Sequence, residues 1–158
     1  MANETVNIAR IVQSLDILVS GLDGKKLAPG VTTVTTAFSD GTGDGQVTQV
    51  YADFGVDGTS TTHDLDGLTD FQGGTTAGVT KLKMMYFNNL STTTSLTIGG
   101  GDFAAFVADA SDKIVIPPES SMLIVCRKGG YTITATSADG LTVVSAAGQT
   151  YDMILFFS

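Results

Sequence analysis

From Ile114 to Ser158 the chain is a series of short apolar runs cut at near-regular intervals by turn residues. Ile114–Ile116, Met122–Cys126, Tyr131–Thr136, Leu141–Val144 and Met153–Phe157 are β-branched, aliphatic or aromatic. Pro117-Pro118, Gly129-Gly130, Asp139-Gly140 and Gly148-Gln149 separate them. Each run is about strand length and is bounded by turn chemistry. Spacing of roughly 8–12 residues between such runs is the pattern of an antiparallel sandwich or barrel. The expected fold is therefore all-β, an antiparallel β-sandwich of jelly-roll-like type. Its last run ends the chain, so it should be central or covered by a neighbour, because an exposed apolar edge of this kind aggregates.

At 158 residues the chain fits one domain, which at this size buries roughly 70% of its unfolded surface without a covalent staple. Residues 1–30 read as an N-terminal arm or first strands, and residues 31–158 as the sandwich. The single cysteine, Cys126, allows no intrachain disulfide and reads as a buried small hydrophobe in its run. Sixteen acidic against eight basic residues give a formal net charge of −8. The basic residues are dispersed, which argues against direct contact with nucleic acid. No basic leader with an uninterrupted apolar core opens the sequence, and no run reaches the length of a membrane helix. Synthesis in a cytoplasm, with no membrane partner, is expected.

Residues 5–20 carry two patterns at once. Ile8, Ile11, Val12, Leu15 and Leu18 fall at helical spacing. Ile11, Leu15, Ile17 and Val19 also alternate against polar neighbours, as in a half-buried strand. The β-branched content and the lack of a capping box favour a strand. Gly21–Gly24 and Pro29-Gly30 read as turns, and Val31–Phe38 as a strand. Ser39–Gly45 is a loop of glycines and carboxylates, after which Gln46–Phe54 alternates, with Val47, Gln49, Tyr51 and Asp53 on one side. Val79–Asn88 carries the largest apolar load of the first half and is expected to be a central strand, with Lys81 and Lys83 sharing one face. Asp102–Asp109 could be a short helix, but reads better as a loop anchored by Phe103 and Phe106.

None of the polar clusters forms a catalytic constellation. Asp40 and Asp44 sit in a Gly-rich loop that lacks the distal glutamate of an EF-hand, and Asp64, Asp66 and Asp70 are explained by turn chemistry. His63 is the sole histidine, and its polar, Thr-rich surroundings suit a surface residue. One His and one Cys support neither a zinc site nor a dyad, and no Gly-x-Ser-x-Gly elbow is present. The expectation is a non-enzyme without metal or cofactor.

Several pieces occur in a telling order: Phe38-Ser-Asp-Gly-Thr-Gly-Asp-Gly-Gln46, His63-Asp-Leu-Asp-Gly-Leu-Thr-Asp-Phe71 and Val79–Asn88. Leu96-Thr-Ile-Gly-Gly100, Ile114–Pro118, Met122–Val125, Tyr131–Thr136 and Thr150-Tyr-Asp-Met-Ile-Leu155 follow. Over residues 31–158 this order resembles small structural proteins of tailed-bacteriophage virions. The resemblance implies a subunit assembled on the capsid surface as a decoration (cement) protein. Such a subunit would be homotrimeric and would bridge neighbouring capsomers of the major capsid protein. An N-terminal arm would reach a neighbour or the shell, with Ile8, Ile11, Val12, Leu15 and Leu18 as candidate contact residues. A tail, neck or surface-fibre module binding a receptor or glycan is the alternative it leaves open.

Overall fold

Threonine, valine and aromatic runs between Gly- and Pro-rich turns become strands throughout a computed structural model of the chain. It describes residues 9–15, 19–22, 25–27, 32–69 and 72–158, and up to residue 36 it does so through backbone pairing alone. Among the described residues there are strands and no helix. Two antiparallel sheets pack face to face. The larger one holds β6 (Gln49–Asp57), β8 (Lys81–Asn89), β11 (Ser121–Val125) and β14 (Thr150–Phe157) in the order β11-β8-β14-β6, and β12 (Tyr131–Thr132) pairs the far end of β8. The smaller one holds β7 (Ser60–Asp64), β9 (Leu96–Gly99), β10 (Lys113–Ile116) and β13 (Gly140–Val144) in the order β10-β9-β13-β7.

Both expected central strands are central. β14 lies between β8 and β6, and β8 lies between β11 and β14. Period-two alternation turns Tyr151, Met153, Leu155 and Phe157 of β14, with Met85 and Phe87 of β8, toward the smaller sheet. There they meet Leu96 and Ile98 of β9 and Leu141 and Val143 of β13, all fully buried. Complete burial of such a side chain contributes about 1.5–3 kcal/mol, so this layer dominates the favourable side of folding. Phe103 closes the core from the 102–112 loop and stacks on Phe106 with ring centroids 5.7 Å apart, in place of a short helix.

Ahead of the sandwich lies a β-ribbon region of two antiparallel ladders. β1 (Ala9–Leu15) pairs β4 (Thr32–Asp40) antiparallel, with Ala9 facing Phe38 and Leu15 facing Thr32. β2 (Val19–Leu22) pairs β3 (Lys25–Leu27), with Leu22 facing Lys25. The pair Leu22–Lys25 is in the same register as Leu15–Thr32, and the pair Val19–Leu27 is shifted by one residue. Only Asp23-Gly24, the strongest short hairpin signal, separates Leu22 from Lys25 in sequence. The strand reading of residues 5–20 thus holds for 9–15, and the division at residue 30 falls between the ribbon's returning strands β3 and β4. Strands β1 to β4 pair with none of the strands of either large sheet.

The ribbon joins the sandwich through β5 (Gln46–Val47), which runs parallel to the end of β4. Here the alternation read from Gln46 to Phe54 breaks. Thr48 leaves the ladder to donate its N–H to the Phe157 carbonyl at 2.7 Å, and the chain changes side. Val47 therefore packs on the outer face of the larger sheet, while Tyr51 packs in the inner core.

Candidate interaction surface

The outer face of the larger sheet is built from the residues that alternate away from the inner core. Register sets two cross-strand rows, Val50–Phe156–Met84–Val125 and Ala52–Ile154–Tyr86–Leu123. Phe38 and Val47 cover the first row, with the Phe38 ring edge-on to Phe156 at 5.7 Å, and together with Met84 they form a second small core. Beyond them the face opens. Tyr86, Leu123 and Ile154 are half-buried, Val50 is 38% exposed and Phe54, in the bulge of β6, is 54% exposed. Asp152 lies past the second row, where its carboxylate accepts from Gly55 N–H at 3.1 Å and Asn88 Nδ2 at 3.1 Å. Its charge is thus spent on fixing the bulge.

The loop after β4 locks the ribbon's root to the sandwich. Register slips by one residue between Phe156 and Phe157, which leaves Lys83 bulged and 1% exposed rather than on a face with Lys81. Its ammonium donates to the carbonyls of Gly43 (3.3 Å) and Gly129 (3.1 Å). Asp44 accepts from Gly129 N–H at 2.8 Å, and Gly45 N–H donates to the Arg127 carbonyl at 2.8 Å. Gly45 has φ 69°, and a Cβ there would sit 2.9 Å from Arg127 Nε, so only glycine fits. This loop of glycines and carboxylates binds a cation after all, and the cation is the protein's own lysine.

A second polar cluster sits where the edge strands β6 and β7 face each other. His63 alternates inward from β7, and its Nε2 lies 2.8 Å from the hydroxyl of the fully buried Tyr151. Within β6, beside β14, Tyr51 donates its hydroxyl proton to Asp53 at 3.4 Å. Burial lowers the pKa of His63 against the opposing pull of Asp53, and burial with the Asp53 charge pushes Tyr151 up to about 12. His63 is therefore a half-buried tie between the sheets, not a surface residue. Its partner is a tyrosine that stays protonated, which is not the arrangement of an activated nucleophile.

The predicted site residues divide by where the structure describes them. Ile8 and Leu18 lie outside the described residues, as does Asp70. Ile11, Val12 and Leu15 lie on β1, opposite Thr36, Thr35 and Thr32. Asp64 closes an Asx turn by accepting Asp66 N–H at 3.0 Å, and Asp66 accepts Val79 N–H at 3.1 Å, so these carboxylates serve turns. Cys126 is half-buried at the end of β11, not within the core, and its thiol lies 3.2 Å from the Lys128 carbonyl. Sequence reasoning missed the outer face, whose signal was the unbroken run Met153–Phe157 and the pair Met84-Met85, apolar on both sides of a strand. It also missed the His63–Tyr151 contact, which joins residues far apart in the chain. Among the described residues no helix is long and apolar enough to cross a membrane. Comparisons with protein-family models, curated proteins and solved structures returned no match.

Proposed function

We propose that this chain is a structural subunit of a tailed-bacteriophage head, a decoration protein that bridges and stabilises neighbouring capsomers of the major capsid protein. In this reading it acts as a homotrimer on the capsid surface and carries out no catalysis. The observation that carries it is the pairing of a rigid sandwich with two joining elements, a β-ribbon and the open apolar face on which that ribbon is rooted. The motif order from Phe38 to Leu155 supplies the link to virions. Apolar contact is worth roughly 25 cal/mol per Å², so modest patches repeated over many symmetry copies would hold a shell against internal pressure.

The test is binding of the purified protein to empty shells, together with its copy number in purified virions. Several hundred copies per particle is the expected result. A handful of copies would move the protein to the tail or neck, and absence of shell binding with no loss of particle heat stability on deletion would end the decoration reading.

A further inference from the structure

Of the edge strands β6, β7, β10 and β11, the last is left without a guard. β6 is bulged against β14, β7 is polar from Ser60 to Asp64, and β10 is short and opens on an exposed Lys113. Such devices keep an edge from pairing with another chain. β11 reads Ser121-Met-Leu-Ile-Val125, with no charge, no proline and no shift in its register with β8. That ladder fixes which of its backbone groups are free. Asn89 N–H donates to the Ser120 carbonyl and Cys126 N–H to the Lys83 carbonyl, so the even-numbered residues bond to β8. Ser121, Leu123 and Val125 turn their N–H and C=O the other way, and none of these groups has a partner among the described residues. The open stretch is closed at its far end, where Gly45 N–H already donates to the Arg127 carbonyl.

We infer that two copies of this chain join edge to edge through β11, antiparallel about a two-fold axis at Leu123. The strand that fits this edge in length, polarity and charge is β11 itself. Because Gly45 closes the edge at Arg127, only the register centred on Leu123 pairs every free residue of both copies. Ser121 then faces the partner's Val125 and Leu123 faces the partner's Leu123, and each such pair exchanges both N–H···O bonds. The larger sheets run on as one through the contact, and the half-buried Leu123 and Val125 gain apolar neighbours on the outer face. The chain leaves the strand line at Glu119, whose φ is 52°, so the ladder ends before the partner's Gly45. Charge agrees with the register. Glu119 precedes β11 and Arg127 follows it, so each meets the other's counterpart at the ends of the shared ladder. Both are exposed, and neither side chain is in an ion pair among the described residues. The contact goes beyond the proposed function and does not need it. A two-fold joint can stand alone or link one trimer to the next, so failure to bind shells would leave it standing.

Full-length variants test it by sedimentation velocity. The wild-type chain should pair, as dimers or as pairs of trimers. E119R and R127E each set like charges against each other at both ends of the ladder, and each alone should pair on the order of tenfold more weakly. An equimolar mixture of the two should regain wild-type affinity as mixed pairs, because every arginine then meets a glutamate. S121P removes a free N–H that β8 does not use, so it should abolish pairing while circular dichroism still shows the folded chain. A wild type that stays monomeric or stops at a trimer would overturn the inference. So would a mixture that pairs no better than its components, or a folded S121P that pairs like the wild type. Should S121P fail to fold, the charge-reversal mixture decides alone.

Discussion

Replacing Tyr151 by phenylalanine isolates the tie between the two sheets. The ring keeps its packing against Phe87, at 6.4 Å between centroids, while the hydroxyl that meets His63 Nε2 at 2.8 Å is removed. The variant leaves a half-buried imidazole nitrogen without that partner, which costs about 1–2 kcal/mol toward the lower end of the range for unsatisfied groups. For a domain of this size that corresponds to a fall in Tm of roughly 2–8 °C near neutral pH. The pH dependence adds a second readout. His63 has a folded pKa below its ordinary 6.5, so the unfolded chain takes up the proton first and stability falls as pH drops below about 6.5. Tyr151 has a folded pKa of about 12 against an ordinary 10.0, so its contribution is complete below 10 and is lost as pH rises toward 12. Urea titrations of wild type and Tyr151→Phe from pH 5 to 11 measure both limbs. The variant should lose much of the alkaline fall, with a remainder from Tyr131, whose pKa burial also raises. An unchanged midpoint at pH 7 together with an unchanged alkaline limb would refute the inter-sheet tie.

Phe38→Ala should destabilise the protein by about 3–5 kcal/mol, since it empties the centre of the small outer core; urea unfolding measures it. Lys83→Met should raise hydrogen exchange at Gly45 and Gly129, whose amides depend on the clamp, while distant β9 amides stay protected. Calcium or chelator should leave the thermal midpoint of the wild type unchanged, because Lys83 and Gly129 already occupy the oxygens of Gly43 and Asp44. Truncation after Gln149 should abolish folding in solution, because it removes the strand between β8 and β6; recovery of a folded truncated chain would contradict the sheet order.

Strand existence was legible because turn residues bracket almost every apolar run, and burial then fixed which strands were central. Lengths were less legible. Thr92–Ile98 shortens to Leu96–Gly99 because the Ser91 hydroxyl accepts the amides of Thr93 and Thr94 in a local turn. Tyr131–Thr136 shortens to two residues because Thr134 bridges Ala138 instead of continuing along β8. Facing was least legible where register shifts. Thr48 and Lys83 each interrupt a ladder, and each turns a neighbour onto a side that simple alternation does not give. The surroundings of His63 and Cys126 depend on residues brought in from elsewhere in the chain, so composition around each one misjudged its exposure.

The place of β14 between β8 and β6 also has a kinetic meaning. During synthesis β6 and β8 emerge first, and each exposes an unpaired, largely apolar edge until residues 150–157 leave the ribosome. At roughly 5–20 residues per second this leaves the sandwich open for several seconds in every chain made. The larger sheet therefore cannot be completed before residues 150–157 are available, and until then the edges of β6 and β8 are open to pairing with another chain. The bulge at Gly55, the buried Lys83 and the charge of Asp152 lie beside those waiting strands. There they interrupt what would otherwise be flat templates for aggregation.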